Sequence, residues 1–419
     1  MKIIDRILPD FEIPAALGCL ADAEGCGSVM SGRRPFFFDV ETTGLSPVFC
    51  YIYLIGCLTE TPEGVRFRQW FAENADEEPA VLTAFCRALT DEHVLVHYNG
   101  STFDIPFVTA RLHRHKLPYT IPEKEQTVDL YRRLSPCKAL FGLVNRKQPS
   151  LEVPAGFDRT DPYDGGTLVS FYSEYVARCR FDTARAEELS DALLLHNHDD
   201  ILGLAKLPSL LPYCLFGSVP FTEVSTEEKD GCVTFAATLP YAFPKAVRKV
   251  CPLPDVPAEC APAKPGSGAD CSVYPGEGKT DGSVCNVGSA DDALDSDAPD
   301  GYFADLLLSG NTVRLSLPVY SMNAYYYFPN YKDYYYLPYE NKAVHKSLAS
   351  CVEKDYRKPA TRETARQQKS GSFLPQLNER IGPVFRFRPN DELCFFEKRE
   401  LDQEAADKYV RDWYEYIME

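Results

Sequence analysis

The sequence predicts an α/β domain built on a mixed sheet flanked by helices, followed by a second, β-rich α+β domain. Three observations predict it. Strand-like runs at 34–40, 51–59 and 65–71 are separated only by short turns, so they pair antiparallel. Helix-like and strand-like segments then alternate, the pattern of an α/β layer. Beyond about residue 213, hairpin patterns take over. At 419 residues, 45% hydrophobic and 25% charged, the chain has length for two or three cores of about 100–200 residues each.

Taken in order, residues 1–32 read as a lead segment. Its acids Asp5, Asp10 and Glu12 leave no apolar core for an export signal. The α/β domain is expected over 33–212. Thr42-Thr43-Gly44 and Thr61-Pro62-Glu63-Gly64 supply the turns of the strand meander. Helices follow at 79–89, 105–113, 167–176 and 183–204, with short strands at 94–97 and 128–130. The second domain is expected over 213–419, interrupted by an acidic, disordered insertion at 252–300. There Pro, Gly, Ser, Ala and Asp dominate, and too little apolar surface is available to offset the entropy of ordering. Around the insertion lie a strand at 232–239 and hairpins at 302–308 with 312–319 and at 384–388 with 393–398. Helical faces are predicted at 344–356 (Val344, Leu348, Cys351, Val352, Tyr356) and at 401–413 (Leu401, Ala405, Tyr409, Trp413).

Composition excludes several classes. No apolar run reaches the ~18–20 residues of a membrane-spanning helix, so no membrane partner is expected. The 15 cysteines are odd in number and include no C-x-x-C, which suggests neither a disulfide framework nor a zinc ribbon and points to a reducing cytoplasm. A net charge of −17 argues against phosphate binding in general, but −8 of it lies in 252–300, where ten acids face two lysines.

Chemistry is concentrated in three places. In Phe38-Asp39-Val40-Glu41-Thr42-Thr43-Gly44-Leu45, strand alternation projects Asp39 and Glu41 together while Phe38 and Val40 enter the core. Two carboxylates so close repel unless a cation lies between them or a proton is retained; a solvated strand edge is the plain alternative. In Asn99-Gly100-Ser101-Thr102-Phe103-Asp104, a strand ends in a turn and Asp104 opens a helix. An N-cap would explain Asp104 equally, and Asn99 equally suits a turn. In His196-Asn197-His198-Asp199-Asp200, His196 and Asp200 are four apart and share a helical face, while His198 and Asp199 fall off it and are expected to be solvated.

These three elements, in this order within one α/β domain, resemble the DEDD superfamily of 3′-5′ exonucleases with the ribonuclease-H-like fold. The bacterial branch of predicted ribonuclease-H-like exonucleases is the nearest likeness. The resemblance covers about 33–212 and implies Asp39, Glu41, Asp104 and Asp200 as ligands of two Mg²⁺ or Mn²⁺ ions. It implies His196 as general base, with Thr42, Thr43, Leu45 and Asn99 at the terminal nucleotide. Family members carry Tyr four residues before the last Asp or His five before it; His196 combines the first spacing with the second side chain. The activity implied is hydrolysis of single-stranded DNA or RNA from its 3′ end. A structure-selective endonuclease and a non-catalytic nucleic-acid-binding or scaffold protein are the rival readings, and protein partners stay open.

Basic groups are available despite the acidic total. Arg111, Arg114, Lys116, Arg132 and Arg133 follow the second motif, and 340–370 carries eight cations against four acids, a net +4. Just upstream, tyrosines at 325–327 and 334–336 suit either paired strands or base stacking.

Overall fold

The computed structural model describes residues 1–17, 32–215, 219, 221–253, 284–288 and 303–418. The chain divides into two compact units, Met1–Val219 and Pro220–Glu419.

The first unit is built on six strands: β1 (Lys2–Leu8), β2 (Arg34–Thr42), β3 (Ile52–Thr61), β4 (Gly64–Phe71), β5 (His93–His97) and β6 (Val128–Asp129). Their order is β1-β4-β3-β2-β5-β6. β2 pairs antiparallel with β3 and parallel with β5, which makes the sheet mixed. Eight successive buried residues in β3 mark a strand covered on both faces. On one face Phe36, Phe38 and Val40 meet Val81, Leu82 and Phe85 of helix α1 (Glu78–Ala88), with Ile105, Val108 and Leu112 of α2 (Asp104–Arg114). On the other, Tyr53, Leu54 and Phe71 meet Leu168, Tyr172 and Tyr175 of α3 (Gly165–Arg178) and Leu189 and Leu193 of α4 (Thr183–Lys206). Asp164 and Asp182 cap the starts of α3 and α4 with side-chain hydrogen bonds. Within the lead segment, β1 adds an edge strand to β4, held by a bidentate Arg66–Asp5 pair at 2.7 Å. No helix among the described residues is long and apolar enough to cross a membrane.

Among the described residues the second unit carries three antiparallel sheets. The largest, in order β10-β9-β11-β12-β8-β7, is formed by β7 (Glu223–Lys229), β8 (Cys232–Thr238), β9 (Ala246–Pro252), β10 (Val284–Gly288), β11 (Phe303–Ser309) and β12 (Thr312–Pro318). The hairpin of β11 and β12 turns through Gly310 at φ +57. β13 (Tyr320–Tyr327) pairs with β17 (Arg366–Gln376), which pairs with β18 (Cys394–Glu397). β14 (Tyr334–Leu337) lies between β15 (Lys342–His345) and β16 (Lys358–Pro359). Helix α5 (Gln403–Met418) buries Tyr409 against Phe235 and Phe396, at ring distances of 5.2 and 5.4 Å.

Several expectations are corrected here. The helix at 344–356 is replaced by β15 and two 3-10 turns, Ala349–Cys351 and Lys354–Tyr356. Its apolar face has nothing to bury, since Leu348 is 68% exposed. Val344 and Ala343 instead find cross-strand partners in Tyr335 and Tyr336. The two tyrosine runs occupy different sheets, joined by a stack of Phe328 on Tyr334 at 4.2 Å. Residues 384–388 make two isolated bridges, Phe385 to Phe395 and Tyr325 to Arg386, in place of a strand. The insertion expected at 252–300 lies outside the described residues, apart from Pro252, Leu253 and β10, which pairs with β9.

Candidate metal centre

Strand β2 directs Asp39 and Glu41 toward α4, and a register shift between Glu41 and Thr42 ends the regular pairing at this point. Asp39 stands opposite Gly56 of β3, which stands opposite Gln69 of β4. A Cβ on Gly56 would fall 2.1 Å from Asn197 Oδ1 and 2.9 Å from Ile201 Cγ1. Glycine is therefore what lets α4 lie against the sheet at the site. Buried Asn197 donates to Asp39 Oδ2 at 3.1 Å and accepts from Gln69 Nε2 at 3.0 Å, and Gln69 also donates to the Leu194 carbonyl at 2.9 Å. The amide locks α4 in register with the carboxylate strand.

His196, immediately before Asn197, and Asp200, about one turn after it, are the two functional side chains of α4. His196 Nε2 lies 3.1 Å from Asp200 Oδ2 and 3.7 Å from Glu41 Oε1, while its Nδ1 hydrogen-bonds to Asp161 Oδ2. Ligand atoms of Glu41, His196 and Asp200 all lie within 4.8 Å of one another, a group able to hold a divalent cation. Glu41 Oε2 accepts from the Tyr53 hydroxyl at 3.5 Å, and Tyr53 is stacked on Tyr172 at 4.0 Å. Arg159 donates to Asp200 Oδ1 at 2.6 Å and to both oxygens of fully buried Glu152, at 2.8 and 3.0 Å.

Asp104 enters from the opposite side of β2. It is buried as the first residue of α2, whose N-cap, Phe103, makes no side-chain bond. Gly100 allows this approach, since a Cβ there would lie 3.0 Å from Asp104 Oδ2 and 2.9 Å from the His97 ring. Exposed Asn99 has φ +60, and its N–H donates to Asp129 Oδ1 at 2.9 Å. Of the other predicted substrate residues, Thr42 is buried and donates to the Gly44 carbonyl at 2.9 Å. Thr43 pairs with Tyr51 through its backbone N–H at 3.0 Å. Leu45 is 86% exposed beside exposed Val48 and Phe49. Arg111 and Arg114 pin that apolar loop by donating to the carbonyls of Pro47 and Val48 at 3.0 and 3.1 Å. Arg111 is itself buried on Glu78, so it is not a free phosphate contact.

The electrostatics follow from burial and crowding. Burial, then the charges of Asp200, Asp104 and Glu41, hold Asp39 well above the ordinary carboxylate range, against the Asn197 bond. Burial pushes Glu41 up to about 8; His196 opposes this, while Asp200 and Asp104 add to it. Burial likewise pushes Asp104 up to about 7, with the amides of Asp104 and Val40 opposing and Asp129 and Asp200 adding. His196 behaves in the opposite sense. Burial would lower it, but Asp200, Glu41 and Asp161 outweigh that and raise it to about 9. Burial also works against Asp200, yet His196 and Arg159 hold it below its usual value. The acids thus outnumber the cations beside them, and burial leaves Asp39, Glu41 and Asp104 inclined to keep a proton.

Sequence reasoning missed Arg159, Asp161, Asn197 and Tyr53. Asn197 carried a signal, a polar residue directly beside His196 in a leucine-rich helix; Arg159 and Asp161 sit in a loop with no spacing relation to the motifs. The expectation that His198 and Asp199 are solvated is corrected. Asp199 is buried and accepts from the N–H of Thr160 and Asp161 at 2.7 and 2.9 Å, which anchors the loop carrying Arg159 and Asp161. Half-buried His198 packs edge-on against Phe67 at 5.0 Å. Both follow from α4 being covered by the sheet on one side and by this loop on another.

Residues 36–211 match the family RNase_H_2 of the RNase H superfamily. No curated protein matches the chain. Among solved structures, the family B DNA polymerase of the hyperthermophilic archaeon Pyrobaculum calidifontis aligns at 15% identity over 52% of this chain and 34% of its own, with a TM-score of 0.33. E. coli exonuclease I in complex with a dT13 oligonucleotide aligns at 15% identity over 52% of this chain and 54% of its own, with a TM-score of 0.26. Another exonuclease I structure aligns at 17% identity over 49% and 55%, with a TM-score of 0.25. The chain thus spans from 34% to 55% of the length of these structures. Over the residues that match the RNase H superfamily model, the mixed sheet with its flanking helices is a ribonuclease-H-like α/β fold.

Proposed function

We propose that the chain is a metal-dependent 3′-5′ exonuclease hydrolysing phosphodiester bonds of single-stranded DNA or RNA. One observation carries the reading: acids from three separate segments, half-buried Asp39, Glu41 and Asp200 and buried Asp104, lie within electrostatic reach of one another beside His196. Carboxylates crowded this way bind protons or cations. The residues fit divalent ions, and these four would hold two Mg²⁺ or Mn²⁺. Bound there, the ions would supply the Lewis acidity that in-line phosphoryl displacement requires.

The chain's own groups do the rest. Asp161 holds His196 by Nδ1, so Nε2 faces the carboxylates and is the nitrogen presented to an attacking water. The high proton affinity of His196 comes from Asp200, Glu41 and Asp161. With Asp200 and Glu41 holding cations, part of what raises His196 would be withdrawn, which would suit it to act as a base. Exposed Leu45 and Asn99, with Thr42 and Thr43, would border the terminal nucleotide. Cysteines scattered without a C-x-x-C pair fit a cytoplasmic protein.

The ion pair of Arg159 with Asp200 favours a second reading, a nucleic-acid-binding protein without turnover. Incubating the full chain with 3′-labelled and 5′-labelled single strands, with Mn²⁺ and with EDTA, separates these. Stepwise loss of the 3′ label in Mn²⁺ alone is expected. Internal cuts on a 3′-blocked strand would favour an endonuclease, and binding without product would favour the second reading.

A further inference from the structure

We propose that the second unit carries a platform for single-stranded nucleic acid on the small sheet of β14, β15 and β16. The proposal rests on the nuclease reading for the class of polymer. The platform itself stands on residues remote in sequence from the metal centre.

Charge is the first observation. In a chain of net charge −17, the stretch 340–370 is +4. The structure shows what seats these cations. The Arg357 guanidinium lies 4.8 Å and the Lys346 ammonium 5.7 Å from the centre of the Tyr335 ring. Arg362 lies 5.8 Å from the ring of Tyr331. Cations held over aromatic faces keep their charge directed outward, because the ring takes no proton and neutralises nothing. Lys358 of β16 is exposed.

Open aromatic surface is the second observation, and it distinguishes a nucleic acid from an acidic peptide. The tyrosine run divides by role: Tyr334 is stacked on Phe328, whereas Tyr335 seats the cations. Tyr339, in the turn after β14, is 85% exposed, and Tyr356, just before β16, is 53% exposed. Their ring centres lie 5.9 Å apart with planes tilted by 53°. Two aromatic rings left in water, in the same stretch of chain as these cations, match a polymer that alternates flat bases with phosphates. An acidic peptide would use the cations and leave the rings uncovered.

The test uses the full chain in EDTA, so that no strand is consumed, and measures binding of a fluorescent oligo-dT by anisotropy. Tyr339→Ala/Tyr356→Ala and Lys358→Glu/Arg362→Glu both change exposed side chains, and thermal melting checks that the fold is intact. The tyrosine pair is expected to weaken binding by roughly tenfold or more, the scale of losing base stacking. The charge pair is expected to weaken it similarly and to lower the slope of log affinity against log salt by about 1.4 or more. An abasic strand should bind wild type and the tyrosine variant alike. Wild-type affinity in either folded variant overturns the platform. Equal weakening of the tyrosine variant toward abasic strand and polyglutamate overturns base stacking in favour of an acidic protein partner, and equal affinity for duplex overturns the single-strand assignment. A parallel assay of a small chromogenic phosphodiester with Mn²⁺ keeps the two readings apart. Failure of wild type there counts against the nuclease while leaving the binding result standing.

Discussion

Gly56→Ala is the sharpest perturbation of the site that leaves every carboxylate in place. The new Cβ would lie 2.1 Å from Asn197 Oδ1 and 2.9 Å from Ile201 Cγ1, against the ~3.5 Å or more that non-bonded carbon atoms need. Neither atom can step aside, because Asn197 is fully buried and bonded to both Asp39 and Gln69. α4 must therefore withdraw by on the order of 1 Å. Overpacking of this kind costs about 1–3 kcal/mol, and weakening two buried hydrogen bonds adds about 1 kcal/mol each. A loss of about 4 kcal/mol corresponds to a melting temperature lower by roughly 10 °C for a unit of this size. Because α4 carries His196 and Asp200, a shift of this size should also cost on the order of 100-fold in turnover. Thermal melting and Mn²⁺-dependent release of a 3′ label measure the two effects. Adding Asn197→Ala removes the clashing amide, so the double variant should regain stability while staying slow, since Asp39 has lost its donor. A Gly56→Ala protein that melts and turns over like wild type would refute the packing argument.

Other outcomes follow from the same geometry. Asp161→Asn should slow turnover by roughly 10–100-fold with unchanged strand affinity in EDTA, because His196 loses the partner of its Nδ1; turnover and anisotropy check this. Arg159→Ala strands buried Glu152 without its cation, and should cost about 3 kcal/mol in urea unfolding. Arg159→Ala/Glu152→Gln should recover much of that loss, and calorimetry should show tighter Mn²⁺ binding once Asp200 Oδ1 is free. In EDTA, stability should fall as pH rises. Glu41 and Asp104 have folded values raised to about 8 and about 7 above ordinary values of 4.5 and 3.8, so the folded state binds the extra protons and loses their stabilisation through that range. His196 adds stabilisation that is complete below 6.5 and lost through about 9. Melting scans from pH 5 to 9 check the slope, which Mn²⁺ should flatten.

The pieces legible in the sequence are those whose signal is local. Strand alternation placed Asp39 with Glu41, and the four-residue helical spacing placed His196 with Asp200, because each pair shares one continuous element. The meander was legible because short turns between apolar runs leave few ways to pair. What failed depended on partners distant in the chain. Val344 reads as helical by spacing, yet becomes a strand residue because Tyr335 offers a cross-strand neighbour. Asp199 reads as solvated on an isolated helix, yet is buried because the loop at 160–161 donates two amides to it. Arg159 gives no local sign that it meets Asp200 and Glu152. Gly56 likewise looks like any strand glycine until a helix from 140 residues downstream is laid across it.

The most direct measurement is anomalous scattering from crystals of the full chain grown or soaked with Mn²⁺. Anomalous density enclosed by Asp39, Glu41, Asp104 and Asp200, with His196 alongside and Arg159 turned away from Asp200, is the expected result. Mn²⁺ bound only elsewhere on the chain, with Arg159 still seated on Asp200 at saturating metal, would contradict the metal centre and the nuclease function with it.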